Sequence, residues 1–215
     1  MTTHALKQNH QAEILPTLLT WFLLIVGLSL NQFFITAQGE APLNLLMTGA
    51  ISIGLFYLAY FKMPQFRTYV LNIDMRLLIM LHSWRTLGLG FILLYYVGEL
   101  PALFAFPAGI GDAMVAVGAV FLTYSLFTNK NGVSKKLIWR WNTFATLDFI
   151  VAVSLGVLTR TDALLFQANA ASSDLMTAFP FVLIPAFLVQ MFAITHIIIY
   201  LQLMNNYKDQ SVIRY

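Results

Sequence analysis

The chain has 215 residues, 59% of them hydrophobic and only 10% charged, with a formal net charge of +3. A soluble domain carries roughly a quarter of its residues charged, and apolar runs of about 20 residues recur here that a water-soluble core of this size cannot use. Composition therefore excludes a soluble enzyme, a disordered chain and a nucleic-acid-binding module. The absence of cysteine excludes disulfides, thiol nucleophiles, iron–sulfur clusters and c-type haem.

Six membrane-spanning helices are predicted in chain order: Ile14–Thr36, Leu43–Phe61, Leu77–Val97, Ala102–Leu126, Trp141–Thr159 and Ala178–Leu203. Each is long enough to cross a hydrocarbon core of about 30 Å at about 1.5 Å per residue. Together they leave little chain for anything else, so residues 1–215 read as one all-α polytopic domain. The first run is longer than the apolar stretch of a signal sequence, its tail is weakly basic, and Thr36-Ala37-Gln38 is a poor cleavage site, so a retained anchor is expected.

Turn residues punctuate the connections: Gly39 and Pro42 after the first span, Gly98-Glu99-Leu100-Pro101 after the third, Asn129-Lys130-Asn131-Gly132 after the fourth. The third connection is so short that spans three and four must be antiparallel neighbours. The connection of about 160–177 is the longest and a candidate for an external helix or lid. Three spans before and three after allow an inverted repeat, but no residue match between the halves supports one.

The Lys/Arg distribution sets the expected orientation. Lys7, Lys62, Arg67, Arg76, Lys130, Lys135, Lys136, Arg140, Lys208 and Arg214 share one side; Arg160 alone lies on the other, and Arg85 lies inside a span. That asymmetry places both termini in the cytoplasm of a cell bounded by an inner membrane. Tyr95, Tyr96, Trp139 and Trp141 fall where interfacial aromatics sit.

Ionisable side chains inside spans cost several kcal/mol to insert and mark candidate sites. Arg85 lies about 12 Å from the cytoplasmic end of its span, Asp148 about 10 Å from the same side, and Asp112 about 15 Å from the outside, all near mid-bilayer. Each Asp lies in a row of small residues that suits close helix contact: Ala108, Gly109, Asp112, Ala116 and Ala119 in span four, and Trp141, Ala145, Asp148, Ala152 and Gly156 in span five. An Arg between two Asp residues neutralises one carboxylate, and the other holds a proton or shares one with a histidine. The leading expectation is binding or proton-coupled transport of a small solute. Arg85 and Asp112 would anchor or pair, Asp148 would carry the proton, and Gln190 and His196 would line the cytoplasmic half of the path.

Two other readings stay open. The charges also fit a purely structural or accessory role. His82 and His196, at matched depth, suit a b-type haem, and His196 with Asp112 and Asp148 suits a divalent metal. No cofactor is the primary expectation. The expected partners are the lipid bilayer and the solute, with a homo-oligomer or a larger membrane complex and no nucleic acid. Pro107 and Pro185 interrupt or border spans and free carbonyls there. No Walker, HExxH or nucleophile-elbow string occurs.

Gly109-Ile110-Gly111-Asp112 resembles the GxGD motif of intramembrane aspartyl proteases, including preflagellin and prepilin peptidases, and Pro185-Ala186-Phe187 echoes the PAL element of the presenilin-like branch. That resemblance implies Asp112 and Asp148 as a catalytic pair. The chain departs from those enzymes in span number, in motif order, and in having only Glu13 near the first span. The longer string Phe106-Pro107-Ala108-Gly109-Ile110-Gly111-Asp112 resembles that of uncharacterised bacterial six-helix membrane proteins. The Trp141-Asn142…Asp148 stretch and the Phe179-Pro180…Pro185…His196 helix are similar to theirs too. This second resemblance implies the architecture and no chemistry.

Overall fold

The computed structural model describes residues 3–168, 170–208 and 210–213, with side chains from Leu15 onward, so Arg214 lies outside the described residues and the side chains of Lys7 and Glu13 are not described. In chain order the helices are α1 (Thr3–Leu30), α2 (Leu43–Lys62), α3 (Pro64–Leu71), α4 (Met75–Leu81), α5 (Leu89–Tyr96), α6 (Ala102–Thr128), α7 (Lys135–Leu158) and α8 (Val189–Asn205). Among the described residues, five continuous helical stretches can cross a membrane by length and composition: Leu43–Lys62, Met75–Tyr96, Ala102–Thr128, Lys135–Leu158 and Ile184–Asn205. The apolar part of α1, Leu15–Leu30, is shorter. The fold is all-α and of the membrane class. Its outer surface is apolar accordingly, with Leu23, Leu55, Leu93, Val117 and Phe121 exposed.

Local chemistry sets the element ends. The first helix stops at Leu30, before Thr36, because Gln32 takes the left-handed conformation at φ 58°. Pro64 opens α3 at a position where its missing N–H is no loss. Asp74 caps α4 by accepting from the Arg76 amide at 2.9 Å. The Gly98–Pro101 turn brings α5 and α6 together as neighbours, with Phe91 against Phe104. The chain's strands, β1 (Val133–Ser134) and β2 (Val212–Ile213), form a two-residue antiparallel bridge that fastens the tail to the start of α7.

Two spans differ from uniform α-helices. Between α4 and α5 the segment His82–Gly88 is a 3₁₀ helix. Residues three apart eclipse in that geometry, so His82, Arg85 and Gly88 form one row, and these are the three residues the segment buries. The last span was expected to begin as helix near Ala178. Instead Ser173–Thr177 is a short 3₁₀ helix, and the span begins with a π-helical turn, Ile184–Leu188. Pro185 sits within that turn; it has no N–H to give to the ladder, and a widened turn is one way to take up the gap.

Trp141 is also not an interfacial residue. It is buried, and its Nε1 donates to the Val115 carbonyl at 3.1 Å.

Candidate functional site

The row His82–Arg85–Gly88 faces α6, and glycine makes the approach possible. A Cβ on Gly88 would overlap the Asp112 carboxylate, one on Gly111 would overlap that of Asp148, and one on Gly109 would sit 2.9 Å from the Gly88 carbonyl oxygen. The glycines of the GxGD string are therefore packing residues. They let α6 lie close enough to α7 and the 3₁₀ segment for side chains to reach Arg85.

Arg85 is 3% exposed, and each of its three guanidinium nitrogens makes a hydrogen bond. Its Nε donates to Asp112 Oδ1 at 2.6 Å, Nη2 donates to Asp148 Oδ2, and Nη1 donates to the Ala145 carbonyl at 3.3 Å. Its Cζ stands 4.0 Å from the centre of the Phe149 ring. One guanidinium thus ties three helical segments through charge-assisted hydrogen bonds, the strongest kind available in a low dielectric. An aspartyl-protease pair needs carboxylates that face each other and share a proton; here a guanidinium stands between them. Its formal charges leave the group one negative charge in excess.

The histidines meet as well. His82 and His196 stack with ring centres 4.0 Å apart and planes 23° apart, enclosed by Trp141, Phe149 and Phe192. Their partners define the neutral tautomers. Asn142 donates from Nδ2 to the His196 carbonyl at 3.2 Å, so its Oδ1, 2.7 Å from His196 Nδ1, accepts the Nδ1 proton. Thr195 gives its hydroxyl hydrogen to the Phe192 carbonyl at 2.7 Å and so accepts from His82 Nε2 at 3.0 Å. Among the described residues, His82 Nδ1 and His196 Nε2 are left as bare, buried nitrogens without partners.

Axial haem ligands hold iron from opposite faces of a porphyrin, edge towards edge. Rings stacked face to face leave no space for the macrocycle, so a b-type haem on His82 and His196 does not fit. Nor do His196, Asp112 and Asp148 form a metal site: among the described residues no group of three or more His, Asp or Glu is placed to hold a metal, and both carboxylates already hold Arg85.

Beside the charged group lies a cavity of about 450 Å³. It runs between α2, α6, α7 and the π turn, with Asp112 and Phe149 at one end and Arg160, Ser173 and Thr177 at the other. Along α7 the wall runs from Phe149 to Val157, a rise of about 12 Å. The wall is almost wholly apolar, and it opens sideways past Leu46, Ile150 and Val153, which are exposed. The side chain of Asp112 keeps 18% exposure against 8% for Asp148. Asp112 is the carboxylate that lines the cavity.

Gln190 lines the cavity too, and its Oε1 accepts from Ser52 at 2.7 Å while its buried Nε2 has no partner among the described residues. The expectation that Gln190 and His196 line one path is therefore corrected. Gln190 opens onto the cavity, whereas His196 is enclosed by aromatic rings one to two turns further along α8.

At the far end the long connection closes over the cavity. Arg160, 3% exposed, pairs with Asp174 at 3.0 Å and reaches the Thr36 carbonyl of the first connection at 3.4 Å. Burial alone would raise the Asp174 pKa, but hydrogen bonds from Thr161 and Ser172 and the charge of Arg160 hold it below the ordinary carboxylate value. The residues that sequence reasoning missed are Asn142, Thr195, Asp174 and the tight glycines Gly88 and Gly111. Their roles arise from contacts between distant segments, although Gly111 lay within the string already singled out.

Residues 41–204 match the family described as Domain of unknown function (DUF8737), and the chain belongs to that family. No curated protein and no solved structure matches the chain.

Proposed function

We propose that this DUF8737-family protein is a six-span protein of the inner membrane, both termini cytoplasmic, that binds a small solute within the bilayer and moves it in exchange with protons. One observation carries the reading: a laterally open apolar cavity with a carboxylate of a net-negative charged group at its inner end. In this reading α1 supplies the sixth span, its shorter apolar part completed by residues beyond Leu30. The excess carboxylate holds a proton when the cavity holds no solute, because an uncompensated charge at this depth costs several kcal/mol. Arg85 serves as the frame of the site, since all three of its guanidinium nitrogens are already engaged.

The test is a thermal-shift screen of the protein in lipid nanodiscs against neutral, anionic and cationic small solutes. At least one class should raise the melting temperature saturably, and Ala50→Trp, which fills the cavity away from the charges, should remove the effect. Shifts that are absent, or identical in the filled variant, overturn the reading.

A structural role is the second reading, and the complete engagement of Arg85 is the observation that favours it. It predicts that Arg85→Met combined with Asp112→Leu and Asp148→Leu keeps every solute response.

A further inference from the structure

We infer that the solute is a lipophilic cation: an apolar body carrying one positive charge, taken sideways from the bilayer and seated with its charge beside Asp112. The inference rests on the solute-binding reading above and names the substrate class of that site.

Charge balance around the cavity carries the argument. The 3₁₀ segment contributes Arg85 and His82, α6 contributes Asp112, α7 contributes Asp148, and α8 contributes His196 and the uncharged Gln190. Each histidine donates one hydrogen bond as a neutral ring, so neither adds charge. That leaves one cation against two carboxylates. At the opposite end Arg160 is matched by Asp174, and the α2 residues on the wall, from Pro42 to Ile53, carry no charge. The cavity is thus neutral at one end and one negative charge in excess at the other, with an apolar wall between.

An anion placed beside Asp112 would add to the excess. A neutral solute would leave the proton on the carboxylate and draw nothing from its charge. A cation removes it, and so does a proton, so the two compete for one position. The volume of about 450 Å³ suits a drug-sized body. The side opening lies between helices that face hydrocarbon, which admits molecules already dissolved in the membrane. Phe149 and Phe91 on the wall offer aromatic surface that a cation also favours.

The probes are tetraphenylphosphonium and tetraphenylborate, ions of similar shape and opposite charge, measured by equilibrium binding to the protein in nanodiscs across pH 5 to 9. Tetraphenylphosphonium should bind saturably, and its affinity should rise about tenfold per pH unit while the competing proton is being lost. Asp112→Asn should weaken it at least tenfold and flatten the pH profile. Ala50→Trp, which leaves every charge in place, should abolish it. Tetraphenylborate should show only the background of protein-free nanodiscs.

Equal binding of the two ions, or phosphonium binding indifferent to both pH and Asp112→Asn, overturns the inference. Should Asp112→Asn fail to fold, Asp148→Asn removes the same net charge and is read the same way. If phosphonium fails while a neutral or anionic solute gives a response that Ala50→Trp removes, the cation is wrong and the solute-binding reading stands. If no probe responds, both fall.

Discussion

Along α6 eleven residues are buried, two of them glycine, whereas α2, nearly as apolar, buries only Phe56 and Tyr60. The α6 side meets α7 and the 3₁₀ segment so closely that Cβ atoms are excluded at Gly88, Gly109 and Gly111. Toward α2 there is instead a cavity, on whose wall a Cβ on Gly49 would stand an ordinary 3.7 Å from the Gln190 side chain, while a Cβ on Gly54, on the exposed surface of α2, would touch nothing within 4 Å. Both regions bury apolar surface from lipid, and only one is filled. In a bilayer the hydrophobic effect does not drive helix against helix. Close packing must therefore be specified by small residues and hydrogen bonds, and where these are missing a space can persist.

Substitutions can break that comparison or sharpen it. The largest effect is expected for Arg85→Met, which leaves two buried carboxylates without their cation. Loss of one partner of a buried pair costs about 3–5 kcal/mol, so unfolding in mild detergent should show a destabilisation of that order, and a wild-type melting curve would refute the brace. Next comes Gly111→Ala: overpacking costs about 1–3 kcal/mol. Its control, Gly54→Ala, should stay within about 0.5 kcal/mol of wild type. Equal effects from the two glycines would erase the distinction between the filled and the open side.

Asn142→Ala removes the acceptor that holds His196 in its Nδ1–H form. A cost of about 1–3 kcal/mol is expected from the unpaired donor, together with a change in the His196 ring nitrogen shifts by NMR. Unchanged shifts would show that Asn142 does not set the tautomer.

The smallest effect belongs to the outer closure. The folded pKa of Asp174 lies below its unfolded value of about 3.9. Its contribution is therefore present above that pH and lost as pH falls through the folded value. Because the carboxylate is partly exposed, solvent screening holds the contribution well under about 1 kcal/mol. Stability of wild type minus that of Asp174→Asn should thus shrink only at strongly acidic pH. A difference that persists there would assign Asp174 a role other than charge.

Five of the six expected spans, and the ionisable residues within them, were legible in the sequence because lipid permits so few exceptions: a 20-residue apolar run and an Arg within it each have a narrow range of meanings. The small-residue rows around Asp112 and Asp148 were legible too, since a helical period and residue size decide which face can approach another helix. What could not be read was which partner each charge would meet. Arg85 proved to join both carboxylates only because His82–Gly88 winds as 3₁₀, and no local propensity marks that segment. The histidines' common level followed from counting rise, while their stacking depends on how the 3₁₀ segment and α8 are rotated. The cavity is hardest of all to foresee, being a property of helices that do not touch.

The 3₁₀ winding of His82–Gly88 also bears on bilayer thickness. Seven residues at a rise of about 2.0 Å cover about 14 Å, against about 10.5 Å for the same residues in α-helix. The span Met75–Tyr96 is therefore about 3.5 Å longer than its residue count requires. Most helices adjust to a thinner or thicker membrane by tilting. This one has a length reserve in its winding, and the reserve lies in the segment that carries Arg85 to both carboxylates.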